Sequence, residues 1–103
     1  MKKNLILKNK AEINTLFENG KSFSDGIVML RFSDSDSNKF LFAVSSKKFK
    51  RAVDRNKIKR LMKESVTDVK FSNKKLAIVY IGNTIPTFEI INNSVNKLLL
   101  KLN

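Results

Sequence analysis

Asn56-Lys57-Ile58-Lys59-Arg60-Leu61-Met62-Lys63-Glu64-Ser65-Val66 is the stretch on which the fold turns. Positions 58, 61, 62, 65, 66 and 69 follow the i, i+3, i+4, i+7, i+8, i+11 spacing of one helix face, all apolar except the small Ser65. At about 100° per residue, Asn56, Lys57, Arg60 and Lys63 fall on the opposite side. Such a helix is held to a core along one stripe and is basic along the other. It lies between two apolar runs, Phe40-Leu41-Phe42-Ala43-Val44 and Leu76-Ala77-Ile78-Val79-Tyr80-Ile81. Strand, amphipathic helix, strand reads as a βαβ crossover, and the second run is continuous enough to be central in its sheet.

Upstream, Ile13, Leu16 and Phe17 recur at helical spacing within Asn9 to Asn19. Asn9 is placed to cap that helix, with Glu12 three residues on as its capping-box partner and Asn19-Gly20 as its stop. Gly26 opens a strand over Ile27-Val28-Met29-Leu30-Arg31-Phe32, which ends in the polar run Ser33 to Asn38. Two strands flanking a six-residue polar loop predict an antiparallel hairpin between this strand and Phe40–Val44. Downstream, Pro86 is predicted to start a last helix whose Phe88, Ile91, Val95, Leu98, Leu99 and Leu102 keep one face apolar. Glu89 near its start and Lys97 and Lys101 near its end suit the helix dipole. The expected architecture is α+β, one domain over residues 1–103, with helices packed on a mixed sheet. By base rate the crossover is right-handed, as about 98% are.

Composition restricts the chemistry. The chain has 103 residues, of which 21 are Lys or Arg and 9 Asp or Glu, a formal net charge of +12. Its 42% hydrophobic content supports a packed core. Zero Cys removes disulfides, thiolate zinc sites and a Cys nucleophile, and zero His removes the commonest general base and metal ligand. Lys8 interrupts the short Leu5-Ile6-Leu7 run, which excludes a signal-peptide core, and no run approaches the roughly 20 apolar residues that span a bilayer. A cytoplasmic location is expected.

The charge is concentrated. Between positions 47 and 63 stand Lys47, Lys48, Lys50, Arg51, Arg55, Lys57, Lys59, Arg60 and Lys63, with Asp54 as the single acid. Solvated helix faces usually mix signs to gain i,i+4 pairs, whereas these like charges repel over at least two turns. That repulsion is tolerable when a polyanion is the neighbour, so the segment predicts contact with nucleic acid. Two other motifs carry nothing: Asp34-x-Asp36-x-Asn38 opens like a calcium loop but has Lys39 and Ser45 where Gly and Glu are needed, and Asn92-x-Ser94 lies inside the last predicted helix.

Ser46-Lys47-Lys48, Ala52-Val53 and Arg55-Asn56-Lys57-Ile58-Lys59-Arg60-Leu61 resemble the signature of the protein subunit of bacterial ribonuclease P. Leu7-Lys8, Glu12, Leu16-Phe17 and Gly20-Lys21 extend the resemblance to most of the chain. Lys57 stands where that family usually has Arg, Ile13 where Phe is frequent and Lys50 where Gly is common. The resemblance implies a non-catalytic protein cofactor of a ribozyme. The RNA subunit, with Mg²⁺, removes the 5′ leader of precursor tRNA, and the protein itself holds no catalytic or metal-binding residue. It implies that Lys47, Lys48, Arg51, Arg55, Asn56, Lys57, Lys59, Arg60 and Lys63 face the catalytic RNA, and that Phe17, Arg31 and Phe42 line a cleft for the single-stranded leader. Stacking on aromatic rings suits that task because every base has a π-face, although core packing stays open for Phe17 and Phe42. The partners implied are the catalytic RNA and precursor tRNA, with no membrane and no DNA. The resemblance further implies a left-handed βαβ crossover, a four-stranded sheet in the order α-β-β-β-α-β-α, and a short extra strand near Lys21 to Ser24. A ribosomal or other structural RNA-binding protein is the alternative. A self-sufficient nuclease is disfavoured because the acids are scattered, with only Asp34 and Asp36 close together.

Overall fold

The structure, a computed structural model, describes residues 7, 9–35, 39–66 and 74–102. In chain order these form α1 (Lys10–Asn19), β1 (Lys21–Ser24), β2 (Val28–Asp34), β3 (Lys39–Val44), α2 (Ala52–Ser65), β4 (Lys74–Tyr80) and α3 (Phe88–Leu99), followed by a 3-10 turn at Leu100–Leu102. The four strands make one mixed sheet in the order β1-β2-β4-β3. The expected α+β architecture and the extra strand at Lys21–Ser24 are both present.

The predicted hairpin between β2 and β3 does not form. β4 lies between them, antiparallel to β2 and parallel to β3. Its Leu76, Ala77 and Ile78 are fully buried, so both of its edges need a ladder and both of its faces a cover. Two strand spacings come to about 10 Å. The five steps from Asp34 to Lys39 reach at most about 17 Å, which is enough to span those two spacings. The crossover through α2 accordingly joins parallel neighbours, as read from the sequence.

Alternation divides the sheet into two faces. Val28, Leu30, Phe40, Phe42, Leu76, Ile78 and Tyr80 form the main core with Ile58 and Met62 of α2, Val66 just beyond it, and Ile91, Val95, Leu98 and Leu99 of α3. Removing each such side chain from water contributes about 1.5–3 kcal/mol. Ser65, on the apolar stripe of α2, is buried too, and its hydroxyl donates to the Met62 carbonyl at 2.6 Å. Val69 lies outside the described residues. On the opposite face, Leu7, Leu16 and Ala77 make a smaller cluster with Ile13, Phe17 and Leu41 under α1.

The ends of α1 follow local chemistry. The Asn9 side chain accepts from the N–H groups of Ala11 and Glu12, while the Glu12 carboxylate pairs with Lys75 at 3.1 Å. Gly20 ends the helix in an extended conformation, φ −72°, and is glycine because of close approach: a Cβ there would press on the Leu16 carbonyl and lie 3.0 Å from that of Phe32. Gly26, at φ +90°, is the residue that conformation requires in the β1–β2 turn. The Asp25 carboxylate closes the turn by accepting from Ile27 and Val28 at 3.0 Å each.

The last helix differs from its sequence reading. α3 begins at Phe88 with Thr87 as N-cap, whose hydroxyl accepts from the Ile90 N–H, and Pro86 is buried ahead of the helix instead of starting it. Phe88 is 41% exposed and outside the core, since a side chain on the first helical residue leans back past the helix start.

Candidate nucleic-acid interface

α2 displays its cations by the geometry that buries its stripe. Asn56, Lys57, Arg60 and Lys63 are exposed, while Ile58 and Met62 on the other side are fully buried. Lys59 lies half-buried on the flank. Arg51 occupies the N-cap position, exposed, with no side-chain cap for the first N–H groups of the helix. The ion pairs Lys74–Asp34 and Lys75–Glu12 lie at the start of β4.

Other cations of the segment build its support. The Arg55 guanidinium donates to the carbonyls of Phe49 and Lys50, both at 2.9 Å. The Lys48 ammonium donates to the Ile81 carbonyl at 2.9 Å, tying the loop before α2 to the end of β4. Ser45 accepts from the backbone N–H groups of Lys47 and Lys48 at 3.2 and 3.4 Å, which shapes the turn that carries Lys47 out to solvent. The loop is anchored by Phe49, buried against Tyr80 with ring centroids 5.8 Å apart.

The proposed cleft residues separate. Phe17 and Arg31 are together on the α1 face: the Arg31 guanidinium carbon lies 5.8 Å from the Phe17 ring centroid, and Nη2 donates to the Phe17 carbonyl at 2.6 Å and the Gly20 carbonyl at 3.2 Å. Phe17 is half-buried and packs against the cluster under α1. Phe42 is 8% exposed, stacks on Phe40 at 6.0 Å and belongs to the core beneath α2 and α3. It is a packing residue on the wrong face for a cleft with Phe17.

The α1 face instead carries residues that the sequence reading passed over. Arg31, Ala77 and Leu41 are cross-strand neighbours in one row, and Met29, Val79 and Ala43 in the next. The second row is half-buried and outside the cluster that α1 covers, leaving a shallow apolar strip beside the helix. The signal for Leu41 and Ala43 was their odd parity within β3, opposite to that of Phe40 and Phe42.

Among the described residues no three His, Cys, Asp or Glu side chains are grouped to hold a metal ion, and no helix is long and apolar enough to cross a membrane. A four-stranded α+β layer with a polycationic helix outside one face and an open, aromatic-edged strip on the other defines a small protein built to meet a polyanion. Comparison with known proteins makes this specific. The family model for ribonuclease P matches residues 1–103, and the chain belongs to that family. It is 31% identical to the ribonuclease P protein component of Acholeplasma laidlawii, over 98% of this chain and 91% of that one. It is 33% identical to that of Macrococcus caseolyticus, over 96% and 87%. The fold is shared with the solved ribonuclease P protein of Staphylococcus aureus, at a TM-score of 0.84 and 22% identity over 96% and 98% of the two chains. It is shared also with that of Thermotoga maritima, at 0.83 and 18% over 94% and 96%. The chain is thus a protein subunit of ribonuclease P, the endoribonuclease that processes tRNA 5′ ends.

Proposed function

We propose that this subunit binds the catalytic RNA through the solvent face of α2 and the 5′ leader of precursor tRNA on the α1 face of the sheet. The observation that carries the reading is the set Arg51, Asn56, Lys57, Arg60 and Lys63, all exposed along one helix in a chain of net charge +12. Each cation that neutralises a phosphate releases condensed counterions, which supplies affinity without sequence preference. Lys47 extends that surface, Lys59 flanks it, and Lys48 and Arg55 act by holding the loop and helix in place. On the other face, Phe17 offers a ring edge for stacking, and the strip of Met29, Val79 and Ala43 offers a sequence-tolerant floor. Arg31 belongs to this site and Phe42 does not.

In this reading the RNA subunit and its Mg²⁺ carry out phosphodiester hydrolysis, and the protein contributes binding alone. It acts in the cytoplasm on precursor tRNA, with no DNA or membrane partner. The test is reconstitution: purified chain, a bacterial ribonuclease P RNA and precursor tRNA at low Mg²⁺, with release of the 5′ leader as readout. Cleavage is expected only when RNA and protein are both present, at an Mg²⁺ concentration where the RNA alone is slow. Cleavage by protein that survives ribonuclease treatment would refute the reading.

A further inference from the structure

The Arg31 guanidinium is the least expected group on the α1 face, being a cation in a strand whose neighbours are Leu30 and Phe32. Its surroundings differ from those of the exposed α2 cations Lys57 and Arg60. Nη2 is held by two backbone carbonyls at the C-terminal end of α1, Phe17 at 2.6 Å and Gly20 at 3.2 Å. Nε is buried and has no hydrogen-bond partner among the described residues. A helix end leaves its last carbonyls without intrahelical donors and concentrates partial negative charge there, so a charge-assisted bond from Arg is favourable. Gly20 makes it reachable, because only a residue without Cβ lets this turn come so near β2. The same guanidinium sits by the Phe17 ring at 5.8 Å. One group therefore fixes both the backbone and the ring of Phe17.

We propose that Arg31 is a positioning residue for the leader, acting through Phe17, and that it makes no phosphate contact of its own. The inference rests on the reading that the leader stacks on this face. The delocalised guanidinium is required: Lys keeps the charge and can donate to both carbonyls, as Nη2 alone does here, but it has no planar group to set beside the Phe17 ring at the same time. A phosphate contact would need charge alone, and that difference makes the two roles separable.

The experiment measures affinity of the assembled holoenzyme for precursor tRNA with and without its leader, at several salt concentrations, for wild type, Phe17→Ala, Arg31→Lys, Arg31→Met and the Phe17→Ala/Arg31→Met double variant. Phe17→Ala should weaken leader-bearing substrate about 5- to 150-fold, the equivalent of one lost base stack, and spare the leaderless one. Arg31→Lys and Arg31→Met should both lose at least about threefold in leader-dependent affinity at an unchanged salt slope, and the double variant should be no worse than Phe17→Ala alone. Wild-type affinity in Arg31→Lys, or a slope shallower by about 0.7 in Arg31→Met, would make Arg31 a phosphate contact and overturn the proposal. If Arg31→Met fails to melt cooperatively, Gly20→Ala replaces it, moving the gripped carbonyl while leaving every charge in place. Loss of leader affinity at constant slope is then expected, and undiminished affinity overturns the proposal. A Phe17→Ala variant equally impaired on both substrates, or on neither, would instead bring down the underlying assignment of the leader to this face.

Discussion

Replacing Lys57 and Arg60 together by Ala should separate RNA binding from folding, because both side chains stand opposite the buried stripe of α2 and are exposed. The stability change can be worked from helix spacing. The double substitution removes the like-charge pairs Lys57–Arg60 and Arg60–Lys63, and also the opposite-charge pairs Asp54–Lys57 and Arg60–Glu64, each worth about 0.2–0.5 kcal/mol. Two gains and two losses nearly cancel, and the slightly better helix propensity of Ala adds a few tenths. The net is within about 0.5 kcal/mol, or a melting-temperature shift below about 4 °C for a domain of this size. Binding responds differently. Two lost phosphate contacts should make the slope of log affinity against log salt shallower by about 1.4–1.8. Between 50 and 200 mM salt, that slope difference is worth about a factor of ten, so the double variant is weak at low salt and comparatively insensitive to added salt. The assays are thermal melts followed by circular dichroism, and titration of the catalytic RNA at four or five salt concentrations. A fall in melting temperature beyond about 8 °C with an unchanged salt slope would refute the reasoning and make this face structural.

Phe42→Ala should cost about 3–5 kcal/mol, as expected for a buried Phe, and impair leader-bearing and leaderless substrates alike; a leader-specific defect in a fully folded variant would return Phe42 to the cleft. Gly82→Ala places a methyl group on the Tyr80 phenol, whose hydroxyl donates to the Thr84 carbonyl at 2.5 Å, and should destabilise by about 1–3 kcal/mol; an unchanged melting temperature would show that the ring can move aside. Acid should act through Asp25. Partial burial raises its carboxyl, but the Val28 and Ile27 N–H groups, the Ser94 hydroxyl and Lys97 outweigh this and leave it below its ordinary value of 3.8. The folded value thus lies below the unfolded one, so its stabilisation is complete above the usual carboxylate range and is lost as pH falls through the folded value. Asp25→Asn should melt lower than wild type at pH 7, and the difference should close below about pH 4; a constant difference would remove Asp25 from the acid response.

The elements of this fold were legible where side-chain period carries the information. α2 declared itself through Ile58, Met62 and Val66, and α1 through Asn9 and Leu16, because helical period and caps are local properties. The parallel pairing of β3 with β4 followed from the helix between them. The β2–β3 hairpin was misread because chain proximity favours pairing across a short loop, whereas the burial demand of Leu76, Ala77 and Ile78 gives the central place to a strand that comes later in sequence. The face assignment of Phe42 failed for a related reason. Phe40-Leu41-Phe42-Ala43-Val44 is apolar at every position, so alternation leaves no polar mark, and only the register against β4 shows which parity meets α2 and α3.

For the site, the sequence reported charge but not what each charge does. Arg31, Lys48 and Arg55 all spend donors on backbone carbonyls, of Phe17 and Gly20, of Ile81, and of Phe49 and Lys50 respectively. A carbonyl has no residue identity, so such partners cannot be read from side-chain patterns, and a motif count treats these cations as equivalent to Lys57 or Arg60. They are not equivalent in energy. Removing an exposed cation such as Lys57 or Arg60 costs the fold little, while removing Arg55 leaves two carbonyls without a donor at the junction of loop and helix, at about 1–3 kcal/mol for any that is shielded from water. The basic segment is therefore two interleaved sets. One holds a loop and a helix start in place through backbone carbonyls, and the other stands exposed along the solvent side of that helix.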